Sequence, residues 1–288
     1  MALQGSRTNP DKFHKDQIPL YIYLIPLSLF MAIPIVFIIF HAFKPMDELF
    51  AYPPQFFVRK PTLENFRSLF GAARGAIVPI SRYVFNSLIV TVAVVAGTVV
   101  ISSMAGFALS KMKFKFKNFI FTANNIALMF VPVAVTIPRF MTVSFLKIDD
   151  TYLAHILPLL AMPVALFLIK QFIDQIPDAL IEAATVDGAG PMVVYFRVIL
   201  PMIRPAIATG AILAFQLVWN NIETSSMFTT QEGVRTLAFY MNTLSANGTI
   251  AGQGMAAAAS LIMFVPNLVL FIILQSNVMN TMAHSGLK

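Results

Sequence analysis

The side chains able to do chemistry in this 288-residue chain are few. There is no cysteine, which excludes disulfides, thiolate nucleophiles and Cys-based metal sites. The four histidines, His14, His41, His155 and His284, form no ligand pair at helical spacing, so no metal site is expected. A phosphate-cradling loop needs a Gly-Lys pair, and none of the 13 glycines is followed by lysine. No residue is therefore assigned a catalytic role. What stands out is "IEAATVDGAGPMVVYFRVILP", Ile181 to Pro201, in which Glu182, Ala183, Ala184, Asp187, Gly188, Leu200 and Pro201 sit at fixed intervals. The chemistry of such a set is noncovalent: an acid beside small side chains offers a docking point, and glycine and proline set bends.

The local signals describe two short helices around a hinge. Pro177 suits a first turn, Asp178 and Glu182 complement the positive end of a helix dipole, and Gly188 is a natural stop in the left-handed conformation. Pro191 opens a second helix, which Pro201 is expected to end by pushing Leu200 out of helical geometry. On the first arm Ile176, Leu180 and Ala184 share a face. On the second, Met192, Phe196 and Ile199 form a bulkier stripe expected to pack under the rest of the molecule. The elbow serves either as a force-transmitting contact for a soluble partner or as an ordinary amphipathic loop.

The elements that hold this elbow are apolar. Hydrophobic residues make up 58% of the chain and charged residues 11%, with mean hydropathy +0.76, too little polar surface to cover a soluble globule. A bilayer core of about 30 Å needs about 20 helical residues. Six runs qualify: Leu20 to Phe40, Val84 to Leu109, Phe119 to Ile137, Tyr152 to Ile169, Ala206 to Trp219 extended through Asn220, Asn221 and Thr224 toward Met227, and Met255 to Leu274. The first follows Arg7, Lys12 and Lys15 and reads as a retained anchor rather than a cleaved signal. Pro132, Pro163 and Pro266 interrupt the third, fourth and sixth.

The net charge is +7 and the pI about 9.7, but no soluble basic domain exists to bind nucleic acid, so the excess is assigned to loops facing anionic lipid. Lys111, Lys113, Lys115 and Lys117 crowd the short link between runs two and three, which places that link, both termini and the elbow in the cytoplasm. Ionisable groups are nearly absent from the runs, against a proton- or sodium-coupled carrier. The polar inventory there is Asn86, Ser87, Thr91, Ser102, Ser103, Asn124, Asn125, Gln216, Trp219, Asn220 and Asn267. Of these, Asn124, Asn125, Gln216, Trp219 and Asn220 are candidates for a substrate pathway, since amides bond hydroxyls and an aromatic face suits a sugar's C–H surface. Small residues Ala206, Gly210 and Ala214 allow a close helix approach, expected to be partly to a second chain.

Glu182-Ala183-Ala184, Gly188 and, nine residues on, Val198-Ile199-Leu200-Pro201 resemble the EAA signature of permease subunits in bacterial binding-protein-dependent ABC importers. "FKPMDELF", "PTLENFRSLF", Asn86-Ser87, "AGFALSKMKF", "VWNN" and "MAHSGLK" look like the carbohydrate-carrying MalG-type branch. The resemblance implies an all-α polytopic membrane protein of the type I importer, MetI-like fold, multi-pass in the bacterial inner membrane. It implies a cytoplasmic segment 1–18, a first helix and external loop 19–83, a core 84–280 containing the coupling loop 177–204, and a cytoplasmic tail 281–288. It further implies that Glu182 pairs with an ATPase, Ala183 and Gly188 permit close docking, Leu200 and Pro201 fix the elbow to the fifth run, and Ser285, Gly286, Leu287 and Lys288 approach the ATPase pair. The implied partners are a second homologous permease, two ATP-binding subunits carrying ATP and Mg2+, an extracytoplasmic sugar-binding protein and membrane lipid. No cofactor is expected in this chain. A passive channel or a secondary transporter subunit is the alternative.

Overall fold

A computed structural model describes residues 17–74, 78–246 and 250–285; the N-terminal basic residues and Gly286 to Lys288 lie outside them. Helices dominate, and no strand occurs among the described residues. The chain divides into two compact units, 1–69 with 248–261, and 70–247 with 262–288.

In the first unit, α1 (Ile18–Ala42) is apolar on every side and about 37 Å long, enough to cross a bilayer. A knob built from the "FKPMDELF" stretch follows. Pro45 precedes the single turn α2 (Met46–Leu49), and the buried Glu48 carboxylate accepts Arg59 N and Lys60 N, each at 2.8 Å. Lys44 Nζ bonds Gln55 O. Asn65, buried in α3 (Glu64–Arg74), donates to Ala42 O and Lys44 O at 3.0 and 2.8 Å. These long-range bonds hold a segment with little regular structure of its own.

The second unit is organised on α4 (Ile80–Lys111), whose buried face is lined by Asn86, Ser87, Val90, Val94, Thr98, Ser102, Ser103 and Gly106. It packs along α7 (Tyr152–Leu160), α8 (Pro163–Asp174) and α11 (Arg204–Trp219). Gly106 permits the α8 approach: a methyl there would stand 3.3 Å from Ile173 Cδ1. Gly210 faces Ile169 and Ala165, so at this position the small-residue stripe of α11 serves a close approach to α8 within the chain.

Three of the six expected spans are broken. The third run is α5 (Lys117–Ala127) and, beyond a 113° bend, the stretch Pro132–Phe145 containing α6 (Thr136–Phe145). Pro132 cannot continue the ladder and Val131 turns extended (φ −72°, ψ 132°) before it. The fourth is α7 and α8, bent 44° ahead of Pro163. The fifth is α10 (Pro191–Met202) and α11, bent 79° at Ile203. The expected extension toward Met227 does not form. Asn221 Oδ1 accepts Thr224 N at 3.0 Å and starts a separate helix, α12 (Glu223–Phe228). The sixth, α14 (Ile250–Ser285), runs unbroken through Pro266, contrary to expectation. One residue on from Ile262, whose carbonyl loses its i+4 donor to the proline, Met263 O accepts both Trp219 Nε1 (3.2 Å) and Asn267 Nδ2 (3.0 Å).

Asn86 and Ser87 bind α4 to the segment between α12 and α13 (Leu237–Ala246). Asn86 Nδ2 donates to Gly233 O and Arg235 O at 3.0 and 2.8 Å, its Oδ1 accepts Tyr152 Oη at 2.7 Å, and Ser87 Oγ accepts Leu237 N at 2.8 Å. Replacing Asn86 with Ala would strand two carbonyls and a phenol. The expected loss of about 2–4 kcal/mol should appear as a lowered unfolding midpoint of the detergent-solubilised protein, with Ser87→Ala costing less.

Candidate functional site

The elbow comprises α9 (Asp178–Val186), the Gly188 turn and α10. α9 ends as its sequence demands. Gly188 has φ +83°, Gly188 N reaches Thr185 O at 3.0 Å and Ala189 N reaches Ala184 O at 2.9 Å, the paired bonds of a Schellman stop. Pro191 occupies the first turn of α10 behind Gly190, as expected.

Two expectations for its faces are corrected. Ile176 lies ahead of α9, so the i, i+4 series from it does not run. Ile181 and Ala184 pack inward instead, and Leu180 is exposed. On α10 the buried side chains are Val194, Tyr195 and Ile199, while Met192 and Phe196 face outward. The cause is a π-turn at Tyr195–Ile199, closed by Leu200 N on Tyr195 O, which widens the helix and brings residues five apart onto one face. It also corrects the expectation at Pro201. Leu200 stays helical (φ −56°, ψ −43°) because the widened turn admits the proline ring, and the chain bends instead at Ile203.

The elbow is rooted by a buried cluster, Phe107, Ile169, Ile173, Val194, Tyr195, Ile199 and Ile203, with Tyr195 Oη 2.6 Å from Ser103 Oγ. Each fully buried isoleucine there contributes about 1.5–3 kcal/mol relative to exposure. Glu182, Ala183, Asp187 and Gly188 are exposed on the opposite side, with Leu180, Val186 and Met192 as neighbouring exposed apolar groups. A low surface carrying one acid and an apolar rim results. Lys111 Nζ meets Ile176 O at 2.6 Å and Asp178 Oδ1 at 2.7 Å, and this partner holds the Asp178 carboxyl below its ordinary range. Sequence reading placed Lys111 only among the basic link residues.

The amides proposed for a pathway fall into two groups, and no hydrogen bond joins them among the described residues. On α5, Asn124 Nδ2 donates to Pro163 O at 3.3 Å, at the break before α8, while Asn125 Oδ1 is buried with no donor among the described residues. On α11, Gln216 and Asn220 are exposed one turn apart, Asn220 Nδ2 on Gln216 O at 3.0 Å, and Asn267 reaches Asn220 Oδ1 at 3.5 Å. Trp219 turns inward, 6% exposed, stacked on Phe215 with its N–H spent on α14. His155 is buried between Thr224 Oγ1 (2.8 Å) and Val234 O (3.0 Å). Of the tail candidates, Ser285 ends α14, and Gly286, Leu287 and Lys288 lie outside the described residues.

Broken membrane helices around a long central one, with a bent two-helix elbow beyond them, define a membrane transport subunit. Residues 97–277 match the family of binding-protein-dependent transport system inner membrane components, and the chain belongs to that family. Among its relatives are the sulfoquinovosyl glycerol transport system permease protein SmoH of Agrobacterium fabrum, 29% identical over 88% of both chains, and the probable ABC transporter permease protein YurM of Bacillus subtilis, 30% identical over 96% of this chain and 90% of that one. The arabinooligosaccharides transport system permease protein AraQ of Halalkalibacterium halodurans is 30% identical over 88% and 90%. The fold matches a chain of a bacterial ABC transporter that imports the acidic polysaccharide alginate, with TM-score 0.77 at 17% identity over 93% and 99%. A chain of the alginate transporter in complex with an alginate pentasaccharide-bound periplasmic protein matches at TM-score 0.52 and 17% identity, over 90% and 93%. This is therefore a multi-pass inner-membrane permease subunit of an ABC importer, all-helical, with the MetI-like fold.

Gly188→Ala meets no atom within 4 Å, so its effect is purely conformational. A left-handed alanine costs about 1–2 kcal/mol, and the Ala189 amide should lose protection from hydrogen exchange by about 5- to 30-fold at most, with α4 amides unchanged. The Asp178 carboxyl should titrate below its ordinary 3.8. Because the folded state depresses this pKa, the Lys111 contact is fully present above that value and is lost as pH falls below it. Carboxyl 13C shifts followed in nanodiscs test this, and Lys111→Met should return the titration to the ordinary value.

Proposed function

We propose that this chain forms half of the translocation pathway of an ATP-driven importer for a carbohydrate, an oligosaccharide or glycoside, and couples to a separate ATPase through the elbow 177–204. The observation that carries the reading is the elbow itself: Glu182, Ala183, Asp187 and Gly188 stand exposed on a surface whose other side is locked into the membrane bundle. Membership of a binding-protein-dependent family sets aside the passive channel and the secondary transporter. The sugar relatives of SmoH and AraQ type support the substrate class.

In this reading ATP and Mg2+ sit on two partner ATPase subunits and this chain carries no cofactor. An extracytoplasmic sugar-binding protein delivers substrate on the outer side, and a second homologous permease closes the pathway. Both termini and the elbow face the cytoplasm, with 1–18 and 281–288 as flanking segments, 19–83 as the first helix and external loop, and 84–280 as the core. Ser285 to Lys288 would meet the ATPase pair. Asn124, Asn125, Gln216 and Asn220 would offer amides to sugar hydroxyls, and Trp219 would support the wall behind Gln216 and Asn220.

Replacing Glu182 and Gly188 together by Ala should leave membrane insertion intact and strip most of the ATPase from the purified complex; undiminished copurification refutes the docking role. A single thiol at Asp187→Cys should react with an impermeant reagent only after the cytoplasmic face is opened. Replacing Gln216, Trp219 and Asn220 together should lower sugar uptake at least tenfold, and unchanged uptake kinetics would reduce them to packing.

A further inference from the structure

α4 grips the elbow at both arms, and neither contact belongs to the EAA signature. Lys111, the last residue of α4, is 8% exposed along its side chain. Its ammonium lies in the joint between two helices: Ile176 O follows the C-terminal end of α8, and Asp178 is the first residue of α9. One cation thus serves a carbonyl at a negative helix end and an acid at a positive helix start. Two turns up α4, Ser103 Oγ and Tyr195 Oη form a buried pair 2.6 Å apart, tying down the second arm. Between them Gly106 rests against Ile173 and Ile169 with no room for a methyl to enter freely. At its other end the same helix carries the Gly233–Leu237 segment through Arg82, Asn86 and Ser87. From Asn86 to Lys111 the helix rises about 37 Å between these two sets of ties.

We propose that Lys111 is a positioning residue that makes the elbow and α4 one rigid lever. Displacement of α9 by a docked ATPase is then delivered along α4 to the Gly233–Leu237 segment, instead of being absorbed at the Gln175–Pro177 joint. The inference rests on the reading of the elbow as the ATPase docking element.

The test uses the complete transporter with its own ATPase and partner permease. This chain holds no cysteine, so thiols at Thr185→Cys, exposed on α9 and outside the docking set, and at Met104→Cys, with any partner thiols replaced, take a spin-label pair reporting the elbow-to-α4 distance. In the otherwise unaltered chain one narrow distance should persist between the nucleotide-free and ADP-vanadate-trapped states. Lys111→Met should broaden or shift it on trapping and lower binding-protein stimulation of ATP hydrolysis at least fivefold, with the ATPase still copurifying and Lys111→Arg restoring both. A distance that changes with nucleotide in the unaltered chain, or one that stays fixed in Lys111→Met with full stimulation, overturns the lever. If Lys111→Met does not assemble, Asp178→Asn, which removes the charged half of the same tie, decides: the same broadening supports the proposal and an unchanged distance overturns it. Full ATPase recruitment by the Glu182→Ala, Gly188→Ala chain would instead sink the docking reading and leave the measured rigidity standing.

Discussion

A bilayer core offers no water to a freed carbonyl or amide, and this constraint accounts for where the polar side chains of the chain are used. Asn124 donates at the break before α8, Asn86 at the irregular Gly233–Arg235 segment, and Trp219 with Asn267 at the turn before Pro266. Outside the apolar runs, Lys111 serves a carbonyl at the joint between α8 and α9. Polarity in the bundle follows the interruptions of its helices. Those interruptions bend the chain by 113°, 44° and 79°.

That arrangement gives α4 its place. It is long, lacks proline and lies against three broken neighbours, so it can stay straight while they bend. Rigidity on one side and articulation on the other are what an alternating-access device needs: a reference element and parts able to move against it. The elbow adds a surface of small and acidic groups facing away from the bundle, and its buried cluster ensures that force on this surface meets packed isoleucines and not a loose loop.

Much of this was legible from neighbouring residues. The helix opened by Pro191 and the left-handed Gly188 depend on side chains within a few positions of one another and appear as expected, and the six apolar runs appear as helices, three of them broken. The π-turn did not announce itself, because no residue in Tyr195–Ile199 demands it; it follows from packing around Ile199, and it moved the buried face off Met192 and Phe196. Nor could the sequence pair Lys111 with Asp178, Ser103 with Tyr195, or Asn86 with Gly233, partners 67, 92 and 147 positions apart. Those pairs are decided by how the helices stack. Sequence supplied the candidates for polar contact, and the tertiary fold chose which became bolts and which stayed exposed on the walls.

The π-turn in α10 also makes the elbow sensitive to length. A π-turn is, in effect, one surplus residue absorbed into a helix, so deleting a single position between 195 and 199 would regularise the coil without unfolding it. Deleting a position elsewhere in the arm, where no surplus is held, would instead twist its two ends by about 100°, turning Met192 and Val193 to a new azimuth relative to Ile203 and the first turn of α11. Lineages of this subunit should therefore tolerate a one-residue gap within these five positions more readily than elsewhere in the arm, and an alignment interrupted outside them would mark a transporter whose drive arm points elsewhere.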